Sequence, residues 1–221
     1  MSGTCSSWSN INTRIYCTDY SVTLDTTSGE RVHTRTITHG ISFSINYYSA
    51  AWFATLVVGA NGRWSITNRI STVIRPDGYL NSSPMATTLP VIYKAINQQH
   101  VHVVQMSDFD GTDVLKCRWA TSSGNTNSYN ECRNVCSGVP GAVLYTDNCT
   151  LVFTLTRAQY YAAAALQIED YYNSAQTSPM SSVPLQFLFY GYSAPSGCST
   201  PPSIIGVRPN RGTSEIYLRN L

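Results

Sequence analysis

Apolar residues recur at every second position over most of this chain, and a period of two permits only extended segments with one buried face. In ITHGISFSINYY, Ile37, Ile41, Phe43, Ile45 and Tyr47 fall on one parity; in AWFATLVVGA, Trp52, Ala54, Leu56 and Val58 do the same. Each stretch reads as a half-buried strand. Between Val58 and Trp64, Asn61-Gly62 supplies the positive backbone φ of a tight hairpin turn, so residues 52–58 are expected to lead through it into the strand RWSITNRISTVIR. There Trp64, Ile66, Ile70 and Ile74 should face inward, and Arg63, Ser65, Thr67, Arg69 and Ser71 outward.

The second half repeats the pattern in VIYKAI, HVHVVQM, DVLKCRWA, CTLVFTL and VPLQFLFYGY. Leu115, Cys117 and Trp119 share one face, as do Cys149, Leu151, Phe153 and Leu155, which sets cysteines where a bridge between strands or sheets can form. AQYYAAAALQIEDYY is ambiguous: its alanines suit a helix, whereas Tyr160, Leu166 and Ile168 fit a strand among strand neighbours, and strand is the expectation. Pro76, Gly78, Pro84 and Pro90 interrupt the alternation. The expected fold is all-β, with two tandem immunoglobulin-like β-sandwich domains and extended terminal strands. An N-terminal sandwich occupies residues 1–80, a linker 81–89, a C-terminal immunoglobulin-like sandwich 90–197, and a tail able to act as a donor strand 198–221.

Composition narrows the partners and the compartment. Charged residues make up only 12% of the 221, about half the usual share, so the surface is hydrogen-bonding rather than ionic. A net charge of +2 without a Lys/Arg cluster gives no electrostatic footprint for nucleic acid or an anionic membrane. No stretch approaches the roughly 20 apolar residues of a membrane span. Seven cysteines and the sequons at Asn81 and Asn148 point outside the cell, to a secreted or surface glycoprotein carrying N-linked glycans. Strand parity turns Asn148 outward beside inward-facing Cys149. MSGTCSSWSN lacks the apolar core of a signal peptide, so an extracellular location implies a leader removed from this sequence or never numbered within it.

An odd number of cysteines cannot all pair within one chain. Cys5 with Cys17 would close a short N-terminal loop, and Cys117, Cys132, Cys136 and Cys149 would form two bridges of open connectivity, leaving Cys198 unpaired or intermolecular. A zinc site is the rival for the middle four, but only Cys132 and Cys136 have knuckle spacing. Asp108, Asp110 and Asp113, on a turn tightened by Gly111, offer oxygen ligands suited to calcium, without the order of an EF-hand loop; further carboxylates would come from Glu169 and Asp170 if that strand end lies nearby. The plain alternative is that Asp and Gly simply make a turn.

His100 and His102 share a strand face at metal-binding spacing, but no third ligand is evident and an exposed polar face is expected, as for His33 and His39. No G-x-S-x-G elbow is present, and no enzyme is expected. Tyr47, Tyr48, Trp52, Phe53 and Trp64 could stack a sugar, although aromatics at strand spacing more often form core.

Several spaced motifs, SDFDGTDVLKCRWA, ECRNVC, PGAVLYTDNCTLVFTL, YAAAALQIEDYY, SSVPLQFLFYGY and CSTPPS, resemble in order a module of large uncharacterised extracellular proteins of invertebrate animals. The likeness covers about residues 64 to 202 and implies a secreted or surface-displayed, non-enzymatic β-sandwich repeat. It places the module's acidic turn on Asp108, Asp110 and Asp113 and its cysteines on Cys117, Cys132, Cys136, Cys149 and Cys198. The module usually carries one more cysteine upstream, where this chain has INQQHVH, which leaves Cys198 without that partner.

Near the ends, Tyr20, Val22 and Leu24 alternate, as do Ile216 and Leu218, so either segment could add a strand to the open edge of a neighbouring copy. The leading expectation is therefore an extracellular structural protein that self-assembles head-to-tail into a homo-oligomer, fibres or a surface coat. The alternative is a calcium-dependent adhesion or carbohydrate-binding module of a larger surface protein.

Overall fold

The computed structural model describes residues 12–23 and 26–197. Among them the secondary structure is strand apart from one 3-10 turn, Arg133–Val135. The strands are β1 (Tyr16–Ser21), β2 (Thr26–Glu30), β3 (Ser42–Ala50), β4 (Arg63–Ser71), β5 (Met85–Thr87), β6 (Val91–Ala95) and β7 (Gln99–Val103). They continue as β8 (Gln105–Ser107), β9 (Val114–Trp119), β10 (Val143–Tyr145), β11 (Thr150–Thr154), β12 (Tyr161–Tyr171) and β13 (Ser181–Tyr192). Among the described residues no helix is long and apolar enough to cross a membrane.

The largest sheet runs β3-β4-β13-β12-β9, with β6 pairing parallel to the far end of β13. A second sheet, β10-β11-β7, lies against it, while β1-β2 and β5-β8 form two-stranded ribbons. Between the two larger sheets, Cys117, Leu166, Ile168, Phe187 and Phe189 pack with Leu151 and Phe153. Phe153 and Phe189 stack with ring centroids 4.1 Å apart. The Cys117–Cys149 disulfide joins β9 to the residue just before β11, tying one sheet to the other. Closing that loop of about 30 residues contributes roughly 3–4 kcal/mol in the chain-entropy picture. A second disulfide, Cys132–Cys136, spans the 3-10 turn.

β12 shows why an alanine run becomes a strand. Residues 162–171 are all buried, so both faces are covered. Ala162, Ala164, Leu166 and Ile168 face the second sheet. Ala163 and Ala165 lie under Leu56, Val135 and the Cys132 region on the opposite face. Small side chains let that outer layer approach closely: a Cβ on Gly138 would stand 2.1 Å from the Ala163 carbonyl oxygen. Central strands covered on both sides lose alternation and read as continuous small or apolar runs.

Four sequence expectations are corrected. Residues 52–58 are not a strand; they form an irregular connection whose one ladder contact is the isolated bridge Leu56–Tyr161. β4 pairs instead with β3, from Ser42–Ser71 to Ala50–Arg63, and the Asn61-Gly62 turn closes the end of a longer loop, with Asn61 at φ 54° and Gly62 N–H donating to Gly59 O.

The burial parity of β4 is also inverted: Ser65 and Thr67 are fully buried, whereas Trp64, Ile66 and Ile70 are half-buried and Ile74 is exposed. Asn46 Nδ2 donates to both hydroxyls at 2.7 Å, and Gln186 and Gln167 donate to the Ser65 and Thr67 carbonyls. Polar side chains tolerate burial when each has partners, so alternation identifies which residues share a face without identifying the covered one. In β7, His100 and His102 pack inward while Val101 and Val103 face solvent. The register sets each histidine opposite a core residue, His100 against Phe153 and His102 against Leu151. His100 also engages the Ala95 carbonyl at 2.7 Å, and burial holds the His102 imidazole below its ordinary pKa, with Lys94 adding to the effect.

Candidate metal centre

The turn Asp108–Asp113 enters β9, and Gly111, at φ 68°, adopts the left-handed conformation that lets it close. Two distant segments meet it. One is RPDGYLN, which delivers Arg75, Asp77 and Asn81. The other is the hairpin joining β12 to β13, which delivers Asp170 and Ser181.

Carboxylate oxygens of Asp108, Asp113 and Asp170 lie within 4.8 Å of one another. That separation suits one ion with calcium–oxygen distances of 2.3–2.6 Å. Asp170 is fully buried, as is the Asp113 side chain. Arg75, itself buried, binds Asp110 at 2.5 Å and Asp113 at 2.7 Å, contacts Asp77 at 3.1 Å, and lies over the Tyr172 ring.

Following each oxygen shows what remains unmet. Asp108 Oδ1 accepts the Asp110 N–H, and Asp110 Oδ2 accepts that of Ser82. Asp170 accepts the Ser181 N–H on Oδ1 and Asn81 Nδ2 on Oδ2, both at 2.6 Å. Asp108 Oδ2, Asp113 Oδ2 and Asn81 Oδ1 are buried with no hydrogen-bond partner among the described residues.

One guanidinium thus serves Asp77, Asp110 and Asp113, with the carboxylates of Asp108 and Asp170 beside them. Burial pushes the Asp170 carboxyl up to about 6, despite the bonds from Asn81 and Ser181. Burial likewise raises Asp108, with Asp110 and Asp113 repelling its charge, and raises Asp113 against the pull of Arg75. Such a cluster is relieved either by a proton or by a cation.

Of the two further carboxylates anticipated, Asp170 joins the site and Glu169 does not. Adjacent residues on a strand point to opposite faces. Glu169 accepts from Arg118 Nε at 2.8 Å and from the Tyr171 hydroxyl at 2.9 Å. Arg118 also makes a bidentate pair with fully buried Glu131, at 2.7 and 2.8 Å. Arg75, Asn81 as an amide donor and Ser181 escaped the sequence reading; the only local signal was an arginine and an aspartate in the RPDGYLN turn.

The other anticipated residues fall as follows. Asn148 is exposed, whereas Asn81 commits its amide nitrogen, the atom a glycan would take, to Asp170 and the Ser82 carbonyl. Cys17 is exposed and unpaired among the described residues; its proposed partner Cys5 lies outside them, as do Cys198, Leu24, Ile216 and Leu218. Tyr20 and Val22 are largely exposed. His33 reaches the Asn12 carbonyl at 3.1 Å, and His39 is exposed. Trp52, Phe53 and Trp64 gather at one cleft, with Tyr47 edge-on to Trp64 and Tyr48 beneath the Arg133 guanidinium.

No protein-family model matches the chain, and no curated protein matches it either.

Proposed function

We propose that this chain is a non-catalytic extracellular binding module of the adhesion type, stiffened by one calcium ion held by Asp108, Asp113 and Asp170. The observation that carries the reading is the pair of buried, unpartnered carboxylate oxygens on Asp108 and Asp113 beside a third buried carboxylate. Hard oxygen donors and the absence of sulfur or imidazole among them favour calcium over zinc. Two disulfides fit an oxidising compartment, and exposed Asn148 is the better placed glycan acceptor.

Within this reading, residues 90–197 are an immunoglobulin-like sandwich. The N-terminal part extends its sheet through β3 and β4, and the connecting residues 81–89 include β5. The motif likeness to invertebrate surface modules supports the same assignment. Scanning calorimetry of the full chain tests the cation: calcium at a hundredfold excess over its Kd adds about 2.7 kcal/mol. That raises Tm by roughly 5–10 °C. An unchanged Tm at millimolar calcium defeats the proposal.

A second reading, head-to-tail association into fibres or a coat, has its own support. β1 and β2 pair only with each other among the described strands; β1 presents Tyr16 and Tyr20, and Val22 follows it in the turn, all at 69–83% exposure. An isolated two-stranded hairpin is marginal in water and gains by joining another sheet edge. Sedimentation velocity should show concentration-dependent assembly, reduced by Tyr20→Lys with Val22→Lys. A monomer at every concentration rules it out.

A further inference from the structure

β13 carries different neighbours at the two ends of one edge: β4 at Ser182, and β6 from Leu188 to Tyr192. Residues 183–187 between them make no ladder pair on that side, where β4 splays away. Leu188 N–H, in phase with residue 184, donates toward β6 at the Pro90 carbonyl. Pro184 therefore turns its missing N–H toward this gap, the place in a long strand where proline costs no ladder bond.

The gap opens into two adjoining cavities of about 500 and 300 Å³ that share Trp52, Phe53 and Gln186. Trp64 walls the smaller one, and Tyr47 packs edge-on against that indole at 5.5 Å. Across the larger one stand Asp19 and Ser28 of the β1-β2 ribbon. The indole Nε1 of Trp52 is buried with no hydrogen-bond partner among the described residues. Gln186 commits its Nε2 to the Ser65 carbonyl at 2.6 Å, which leaves its own carbonyl oxygen for a ligand.

We infer that this cleft binds a neutral hexopyranose unit of a glycan, stacked on Trp52 and hydrogen-bonded to Trp52 Nε1 and Gln186. The chemistry selects the class. A pyranose presents a C–H face to an aromatic ring and hydroxyls that both accept and donate at its rim. An alkyl chain would leave the indole N–H and the Gln186 carbonyl unmet. A phosphorylated or carboxylated ligand would meet Asp19 and no cation among the lining residues.

The inference deepens the binding-module reading by naming a ligand class, and it does not depend on the calcium ion. Six residues of extended β13 separate Phe187 in the cleft from Ser181 at the acidic cluster, roughly 20 Å.

A glycan array probed with the full chain, followed by titration of the best neutral disaccharide monitored by tryptophan fluorescence, is the test. Both are run with calcium and with chelator. Binding in both arms, weakened about tenfold in Trp52→Phe with unchanged circular dichroism and unfolding midpoint, supports the cleft. Should that variant misfold, chemical-shift changes on the wild-type Trp52 indole and Gln186 side-chain amide signals give the same answer. Silence on the array, equal affinity of wild type and Trp52→Phe, or occupation by a hydrophobic dye or peptide that sugars cannot displace overturns it. Sugar binding that survives in chelator alongside a calorimetric calcium null would sink the cation and leave the cleft standing.

Discussion

Glu169 and Asp170 are neighbours on β12 and enter opposite environments. Glu169 joins Arg118 and Glu131 in a network whose every carboxylate oxygen accepts a hydrogen bond, including those from Thr121 N–H and Asn127 Nδ2 to Glu131. Asp170 joins a cluster with an excess of carboxylates and two buried carboxylate oxygens that accept nothing from the described residues. Both are buried acid-rich sites with a single arginine at the centre. The first is complete as it stands and pins the 120–131 loop onto β9, β12 and β13. The second is complete only when another positive charge arrives.

The sharpest way to break this comparison is to remove charge from each side. Glu131→Gln leaves Arg118 partly unpaired beneath the loop and should cost about 3 kcal/mol or more in urea unfolding, with calcium affinity unchanged. Asp170→Asn should do the reverse. In chelator at pH 7 it should be neutral or stabilising by on the order of 1–2 kcal/mol, because a buried carboxylate raised to about 6 is a liability once ionised. In calorimetric titration it should lower calcium affinity by at least tenfold. If Asp170→Asn instead destabilises the chelated protein as Glu131→Gln does, the two clusters are alike and the comparison fails.

pH separates them further. A folded-state pKa above the unfolded value means that the native state holds the extra proton. The stability that proton confers is present below about pH 4 and is lost as pH rises through about 6. Unfolding free energy in chelator should therefore fall by on the order of 2 kcal/mol between pH 4 and 7 from Asp170. Calcium, which favours the ionised form, should abolish that fall, and its affinity should weaken below pH 6. A profile indifferent to calcium contradicts the assignment.

The smallest effect is expected at the outward valines of β7. Val101→Thr, at a site 60% exposed, should stay within about 0.5 kcal/mol, whereas His102→Ser, against Phe187 and Phe189, should cost clearly more. Equal costs would return β7 to the orientation expected from its sequence.

That last pair shows how far the sequence could be read. Strand content was legible because period two survives in β3, β9 and β11, and the Asp108–Asp113 turn was legible because carboxylates and glycine crowd six positions. Orientation was not legible where polar residues are buried with partners: Ser65 and Thr67 owe their burial to Asn46, 19 and 21 residues away, and to glutamines at 167 and 186. The hairpin partner of β4 was not legible because Trp52, Leu56 and Val58 alternate in a segment whose Trp52 and Leu56 cover β12 as a loop, which needs no ladder. The third ligand could be named only conditionally, since nothing local joins Asp170 to a turn some 60 residues earlier. The bond from Asn81 to Asp170 was not legible either, since the two lie 89 residues apart.

The most direct measurement is anomalous scattering from a crystal of the full chain grown with calcium or exchanged with terbium. The account predicts one strong peak between Asp108, Asp113 and Asp170, with ligand distances near 2.4 Å. A crystal at millimolar cation with no peak there, and with protons or Arg75 alone balancing the three carboxylates, would contradict it.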